Sequence, residues 1–193
     1  MTDTRSPLRS PPLPDAQDTR AWGARLGALL RPGDLVILTG GLGAGKTTLT
    51  QGLAEGLGVR GPVTSPTFVI ARVHPSLVGG PVLVHVDAYR LGGLEELDDL
   101  DLDADLDRAV TVVEWGRGVA DDLSEDALEV VLEGEATRVA TVVPRGGRWS
   151  SETARAALAA LGELAGLADA GGHAGGDAGR TEPGADAGGE DGG

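Results

Sequence analysis

Cysteine is absent from the 193 residues, and methionine, phenylalanine and tyrosine occur once each. The first absence excludes a disulfide framework, a thiolate metal site and a cysteine nucleophile. Aromatic residues make up only 3% of the chain, so a core must rest on Leu, Val, Ile and Ala. Positive charge is scarce: 16 Lys and Arg stand against 30 Asp and Glu, a net charge of −14 and an isoelectric point near 4.5. Such a surface repels phosphate backbones, which argues against broad electrostatic binding of nucleic acid by this chain alone. Long apolar runs are also missing, and the N-terminus is polar and proline-rich. No signal peptide or membrane helix is therefore expected, and the cytoplasm is the default location.

What is present suits one globular domain: 40% hydrophobic and 24% charged residues. Residues 1–14 read as a disordered, proline-rich leader, 15–167 as the folded domain, and 168–193 as a disordered Gly/Ala/Asp-rich tail with nothing large to bury. Asp18 or Thr19 is positioned to cap a first helix carrying Trp22, Leu26, Leu29 and Leu30, closed by Pro32-Gly33. Leu35–Leu38 is a short continuous apolar run, the pattern of a strand buried on both faces. Further strands are expected at Phe68–Val73, Val82–Val86, Val110–Glu114, Leu128–Leu132 and Val139–Val143, the last two as an antiparallel hairpin at one end of the sheet. A final alanine-rich helix is expected from about Ser150 to Leu164. The alternation points to α/β: a P-loop NTPase-like three-layer fold with a mostly parallel central sheet.

Gly40-Gly41-Leu42-Gly43-Ala44-Gly45-Lys46-Thr47 matches G-x-x-x-x-G-K-[ST], directly after a strand and directly before a helix. Glycines let successive N–H groups turn inward towards phosphate oxygens, and the helix presents its positive N-terminal end to the same anion. Lys46 supplies a mobile charge for the outer phosphates, and the Thr47 hydroxyl is placed for Mg²⁺. Lys46 is also the only lysine; every other basic residue is arginine. A composition so biased towards arginine retains an ammonium where a planar guanidinium would fit poorly.

Hydrolases of this type also need an acid on a neighbouring strand and a polar group for the attacking water. Asp87 ends the apolar run Val82–Val86, and Glu114 ends Val110–Val113 and precedes Trp115. Each alone could be an ordinary strand-end charge. Together, behind a complete phosphate loop, they are candidates for metal and water. Ser65-Pro66-Thr67-Phe68 adds hydroxyls within a proline-shaped turn.

These segments in this order resemble the bacterial TsaE (YjeE) ATPases of tRNA threonylcarbamoyladenosine biosynthesis. The resemblance rests on Gly-Leu-Gly-Ala-Gly-Lys-Thr-Thr at 41–48, Ser-Pro-Thr-Phe at 65–68, His85-x-Asp87-x-Tyr89-Arg90-Leu91 and Val113-Glu114-Trp115, and it spans roughly residues 18 to 145. It implies a single domain that binds and hydrolyses ATP·Mg²⁺ in support of the TsaB–TsaD heterodimer, with tRNA reached only through those partners. Residue by residue it implies that the loop from Gly40 through Thr48 holds phosphate, with Lys46 as its cation. Thr47 and Asp87, with Glu114 beside them, would hold Mg²⁺; Glu114 would act on water, Thr67 would sense the terminal phosphate, and Trp115 would border the nucleotide. Where the family usually has an acidic residue, this chain has Gly41.

Two alternatives stay open on the residues themselves: a small-molecule kinase, and a nucleotide-dependent assembly module with negligible turnover. No clustered arginines mark a kinase lid, since Arg90, Arg108 and Arg117 are dispersed. The carboxylate-rich stretch 95–107 fails as an EF-hand for want of the central glycine and the closing Glu, and reads as solvated surface. His74 and His173 lack ligand-spaced companions, His85 is expected to pack or hydrogen-bond near the site, and Trp22 and Trp149 to flank the first and last helices.

Overall fold

The computed structural model describes residues 7–66, 70–90, 107–121 and 123–169. The expected tail from 170 onward, the acidic stretch up to 106 and Thr67 lie outside the described residues. Seven strands form one sheet: β1 (Leu8–Arg9), β2 (Leu35–Thr39), β3 (Ala71–His74), β4 (Val82–Asp87), β5 (Ala109–Glu114), β6 (Ala127–Glu133) and β7 (Val139–Arg145). Their spatial order is β1-β7-β6-β2-β5-β4-β3. The central four, β6-β2-β5-β4, are parallel neighbours, while β3, β7 and β1 run antiparallel to theirs. The α/β architecture with a mostly parallel centre is thus the one the alternation implies.

Helix α1 (Ala16–Gly27) crosses α2 (Lys46–Leu57), and α4 (Glu152–Asp169) follows a single turn, α3 (Gly147–Ser150). Strand β2 explains why a continuous apolar run sits at the centre. Val36 and Leu38 face the cluster built with α1, α2 and α4, whereas Leu35 and Ile37 face a second cluster with Val84, Val86 and Val113. Burial on both faces is what a parallel strand requires. Among the described residues, Ala120, with Val119 and Leu123 packed beside it, contributes to the cover of that second face.

Four expectations are corrected. The first helix is capped by Asp15, whose carboxylate accepts from the Asp18 N–H at 2.9 Å, not by Asp18 or Thr19; Thr19 is fully buried and spends its hydroxyl on the Asp15 carbonyl. Part of the expected leader is ordered structure. Leu8 and Arg9 pair with β7, and Leu13, 2% exposed, bridges to Arg138 and packs in the main cluster. An edge strand offers unpaired backbone groups, and a short apolar segment can cover them. Strand β3 spans Ala71–His74, leaving Ile70 out of it and extending one residue past Val73, while Phe68 and Val69 lie outside the described residues. The last helix starts at Glu152 and continues to Asp169. The β6–β7 hairpin forms as expected, but β1 lies beyond it at the sheet edge.

Candidate functional site

The site gathers where parallel strands end and their C-terminal turns begin, the place where open α/β sheets leave a crevice. Strand β2 ends at Thr39 and the chain turns through Gly40, Gly43 and Gly45 at φ 151°, 76° and 100° before α2 starts at Lys46. At Gly40 an added Cβ would meet the Leu132 carbonyl oxygen at 2.6 Å, so both the conformation and the space call for glycine. The N-cap of α2 is Gly45, which offers no side-chain hydrogen bond, and its first turn contains no acidic residue. That helix end is left with its positive pole and orphan donors facing outward, as an anion site needs.

Lys46 is 5% exposed, and its Nζ donates to the carbonyls of Gly40 and Gly41, both at 2.9 Å. It also sits 3.6 Å from the centroid of the Trp115 ring. Burial pushes its ammonium below the usual lysine range, against the opposing pull of Glu114 and Asp87. Trp115 reaches this position through a left-handed backbone, φ 61°, while its N–H continues the ladder to the Leu38 carbonyl. For a bulky residue this conformation costs of order 1–3 kcal/mol, and such strain collects at functional sites. Tyr89 packs against the indole with ring centroids 5.1 Å apart.

Strands β4 and β5 place Asp87 and Glu114 opposite each other in register. Both are nearly buried, 4% and 3% exposed. The Thr47 hydroxyl lies 3.0 and 3.2 Å from the two Glu114 oxygens, and His85 Nε2 lies 2.9 Å from Oε1. Ser65 donates to Asp87 Oδ2 at 3.1 Å, and the Tyr89 N–H donates to Oδ1 at 3.0 Å. Among the described residues, no three His, Asp or Glu side chains converge as an all-protein metal cage. The donor set at Thr47, Glu114 and Asp87 is one hydroxyl and two carboxylates. It suits Mg²⁺, a hard cation that keeps waters and completes its shell from substrate phosphates.

The candidates Gly40, Gly41, Leu42, Gly43, Ala44, Gly45, Lys46, Thr47, Thr48, Asp87, Glu114 and Trp115 therefore lie at one end of the sheet. Ser65 joins them, while Thr67 falls outside the described residues. One participant escaped the sequence, and another was expected nearby without a named partner. Arg138, immediately before β7, donates through Nε to the Ala44 carbonyl at 2.9 Å and through a terminal nitrogen to the Gly43 carbonyl at 3.4 Å, bracing the loop across 94 residues of chain. No local pattern marks such a contact. His85 was expected to pack or hydrogen-bond near the site, and it does so, on Glu114; the i, i+2 spacing of His85 and Asp87 puts both on one strand face.

Beside the loop an open groove of about 520 Å³ is lined by Gly40–Ala44 and by Val131–Glu135, on the side away from Glu114. A larger hollow, about 740 Å³, lies at the opposite end of β6 and β7 between Glu125, Arg145 and Trp149, remote from the convergent polar groups. We give the smaller groove priority because chemistry, not volume, marks a site.

A family model described as "Threonylcarbamoyl adenosine biosynthesis protein TsaE" matches residues 13–141. A relative from Streptomyces coelicolor, named tRNA threonylcarbamoyladenosine biosynthesis protein TsaE, is 60% identical over 139 residues, 68% of this chain and 94% of the relative. The Bacillus subtilis protein of that name is 38% identical over 136 residues, covering 69% and 84%. The crystal structure of Bacillus subtilis YdiB superimposes with a TM-score of 0.61 at 29% identity, covering 87% of this chain and 99% of that one.

Proposed function

The chain belongs to the TsaE family of tRNA threonylcarbamoyladenosine biosynthesis proteins, and on that premise we propose that it is an ATPase whose phosphate loop serves the TsaB–TsaD heterodimer. One observation carries the reading. The loop's lone lysine, the Thr47 hydroxyl and two nearly buried carboxylates from adjacent strands meet at the uncapped N-terminus of α2. Buried carboxylates are costly unless they have partners. Their placement beside a lysine and a helix N-terminus suits a polyphosphate chelated to a cation better than a purely structural role.

In this reading the loop amides and Lys46 hold the phosphates of ATP, and Trp115 and Tyr89 border them. The nucleoside leaves the loop on the side away from Glu114, into the groove between Gly40–Ala44 and the end of β6. Thr47, Asp87 and Glu114 are the residues that would hold Mg²⁺, which supplies charge neutralisation at the transferring phosphoryl group. Glu114 orients the attacking water, whose oxygen bonds to the γ-phosphorus as the bond to the bridging oxygen breaks. ADP and phosphate are released. Thr67 is assigned the terminal phosphate by its place in the Ser-Pro-Thr-Phe segment. Gly41 keeps the backbone donor that an acidic residue would also supply.

With a net charge of −14, tRNA is left to the partners, and the chain works in the cytoplasm with them. Among the described residues no helix is long and apolar enough to cross a membrane. Family membership takes the place of the kinase alternative. The assembly module without turnover remains as an outcome of the test.

That test is multiple-turnover modification of tRNA by the TsaB–TsaD pair, supplied with threonylcarbamoyl-adenylate and ATP. Wild-type chain, Lys46→Ala and no addition are compared. Sustained turnover only with wild type supports the proposal. Equal yields in all three, with active partners, would sink it. Turnover of tRNA without ATP consumption would point to the assembly module.

A further inference from the structure

Glu114 has two oxygens to aim, and one residue outside the loop holds it. His85 is fully buried on β4. It stands opposite Val112 on β5, and Glu114 lies two residues further along on the same sheet face. From that diagonal position Nε2 meets Glu114 Oε1 at 2.9 Å, and the Thr47 hydroxyl contacts both oxygens. A carboxylate can only accept, so the proton in this bond belongs to the imidazole. The other ring nitrogen, Nδ1, is buried and has no hydrogen-bond partner among the described residues. A hydrogen at that position would be a buried donor without an acceptor, so the geometry places the ring hydrogen on Nε2, facing Glu114.

We propose that His85 is the positioning residue for Glu114: its Nε2–H fixes the carboxylate oxygen that the Thr47 hydroxyl also contacts at 3.0 Å, so that the other oxygen is presented to the metal and water of the site. This rests on the role given to Glu114 under the proposed function. The bond does for Glu114 what outer partners do for metal ligands generally, setting the orientation of a group that would otherwise rotate. A histidine that served only to neutralise a buried acid would leave the aim of that acid unimportant. The two roles therefore differ in what they make measurable.

The test uses the full chain as wild type, His85→Leu and His85→Gln. Leucine fills the space without a donor, whereas the glutamine amide places an N–H close to the position of Nε2. Three readouts are taken: kcat and KM for ATP with the TsaB–TsaD pair; calorimetric ADP affinity with and without Mg²⁺; and the ¹⁵N spectrum of the His85 ring in the free wild type and in Glu114→Gln. We expect kcat, and the gain in ADP affinity that Mg²⁺ brings, to fall about ten- to a hundredfold in His85→Leu. Metal-free ADP affinity should hold, and His85→Gln should recover most of the loss. The free protein should show the Nε2–H tautomer, with its signal displaced in Glu114→Gln. Unchanged kcat in His85→Leu, a loss not recovered by glutamine while metal-free ADP binding stays intact, or an Nδ1–H tautomer would each overturn the proposal. Should His85→Leu fail to fold, His85→Asn, whose amide stops short of Glu114, replaces it. A wild type that binds no ADP at all overturns the proposed function itself, and is told apart by that binding readout.

Discussion

Arg138 shows how a single side chain far away in sequence sets the shape of the loop. Its guanidinium engages the carbonyls of Ala44 and Gly43, so those carbonyls are held back and the loop amides can face the opposite way. Replacing it with methionine keeps the stem but loses the donors. A hydrogen bond with a charged donor contributes about 1.5–3 kcal/mol, so ADP affinity in Arg138→Met should fall at least about tenfold by calorimetry. Unchanged affinity would show that the glycines alone hold the loop. His74 governs a different property. It is 8% exposed, and burial pushes its imidazole below the ordinary histidine value. The Arg60 backbone opposes this, while the Arg72 charge reinforces it. The folded state thus keeps the ring neutral where the unfolded chain, with an ordinary pKa, takes up a proton. Stability is fully present above that unfolded pKa and is lost as the pH falls below it, down to the folded pKa. The melting temperature of wild type should therefore drop more between pH 7.5 and 5.5 than that of His74→Gln; equal drops would remove His74 as the cause.

At the scale of elements, the contact between α1 and α2 depends on missing side chains. Gly23 on α1 lies against α2 so closely that a Cβ would sit 2.7 Å from the Leu49 carbonyl oxygen and 3.2 Å from the Gly52 Cα. Those are backbone atoms and cannot rotate away. Alanine would gain up to about 1 kcal/mol of helix propensity, while forcing two helices apart costs about 1–3 kcal/mol. Gly23→Ala should therefore lower stability, by up to about 2 kcal/mol in urea unfolding, although alanine is the better helix former. A net gain would show that the helices separate freely. This packing also matters for the site, because α2 carries Lys46 and Thr47 on its first turn. The elements themselves were largely legible, since β2, β4 and β5 are apolar runs that end in Thr39, Asp87 and Glu114. Their ends were less so. The Asp15 cap and the buried Leu13 depend on where the preceding segment crosses the sheet edge, which propensity does not encode.

For the whole molecule, the proposed ligand should act as a clamp joining β2, α2, β4 and β5. A ligand at a hundredfold its Kd that binds only the folded state stabilises it by about 2.7 kcal/mol. For a domain of this size the melting temperature should then rise by about 5–10 °C with ADP and Mg²⁺. Lys46→Ala should show no such shift under the same conditions; a full shift would remove the loop from the binding site.

The phosphate loop was readable without any structure, because its glycines, lysine and threonine must be contiguous to wrap one anion. The strand-end acids were readable as candidates, because an apolar run closing in a carboxylate places that charge at a sheet edge. Which of them meets Thr47 was decided only by the sheet order, which puts β5 directly beside β2 and β4 one strand further out. The hold of His85 on Glu114, the brace from Arg138 and the indole of Trp115 over Lys46 likewise arise between residues far apart in the chain. Local pattern specifies what each segment can form. The distances that make a site come from packing, which acts through space and leaves no period in the sequence.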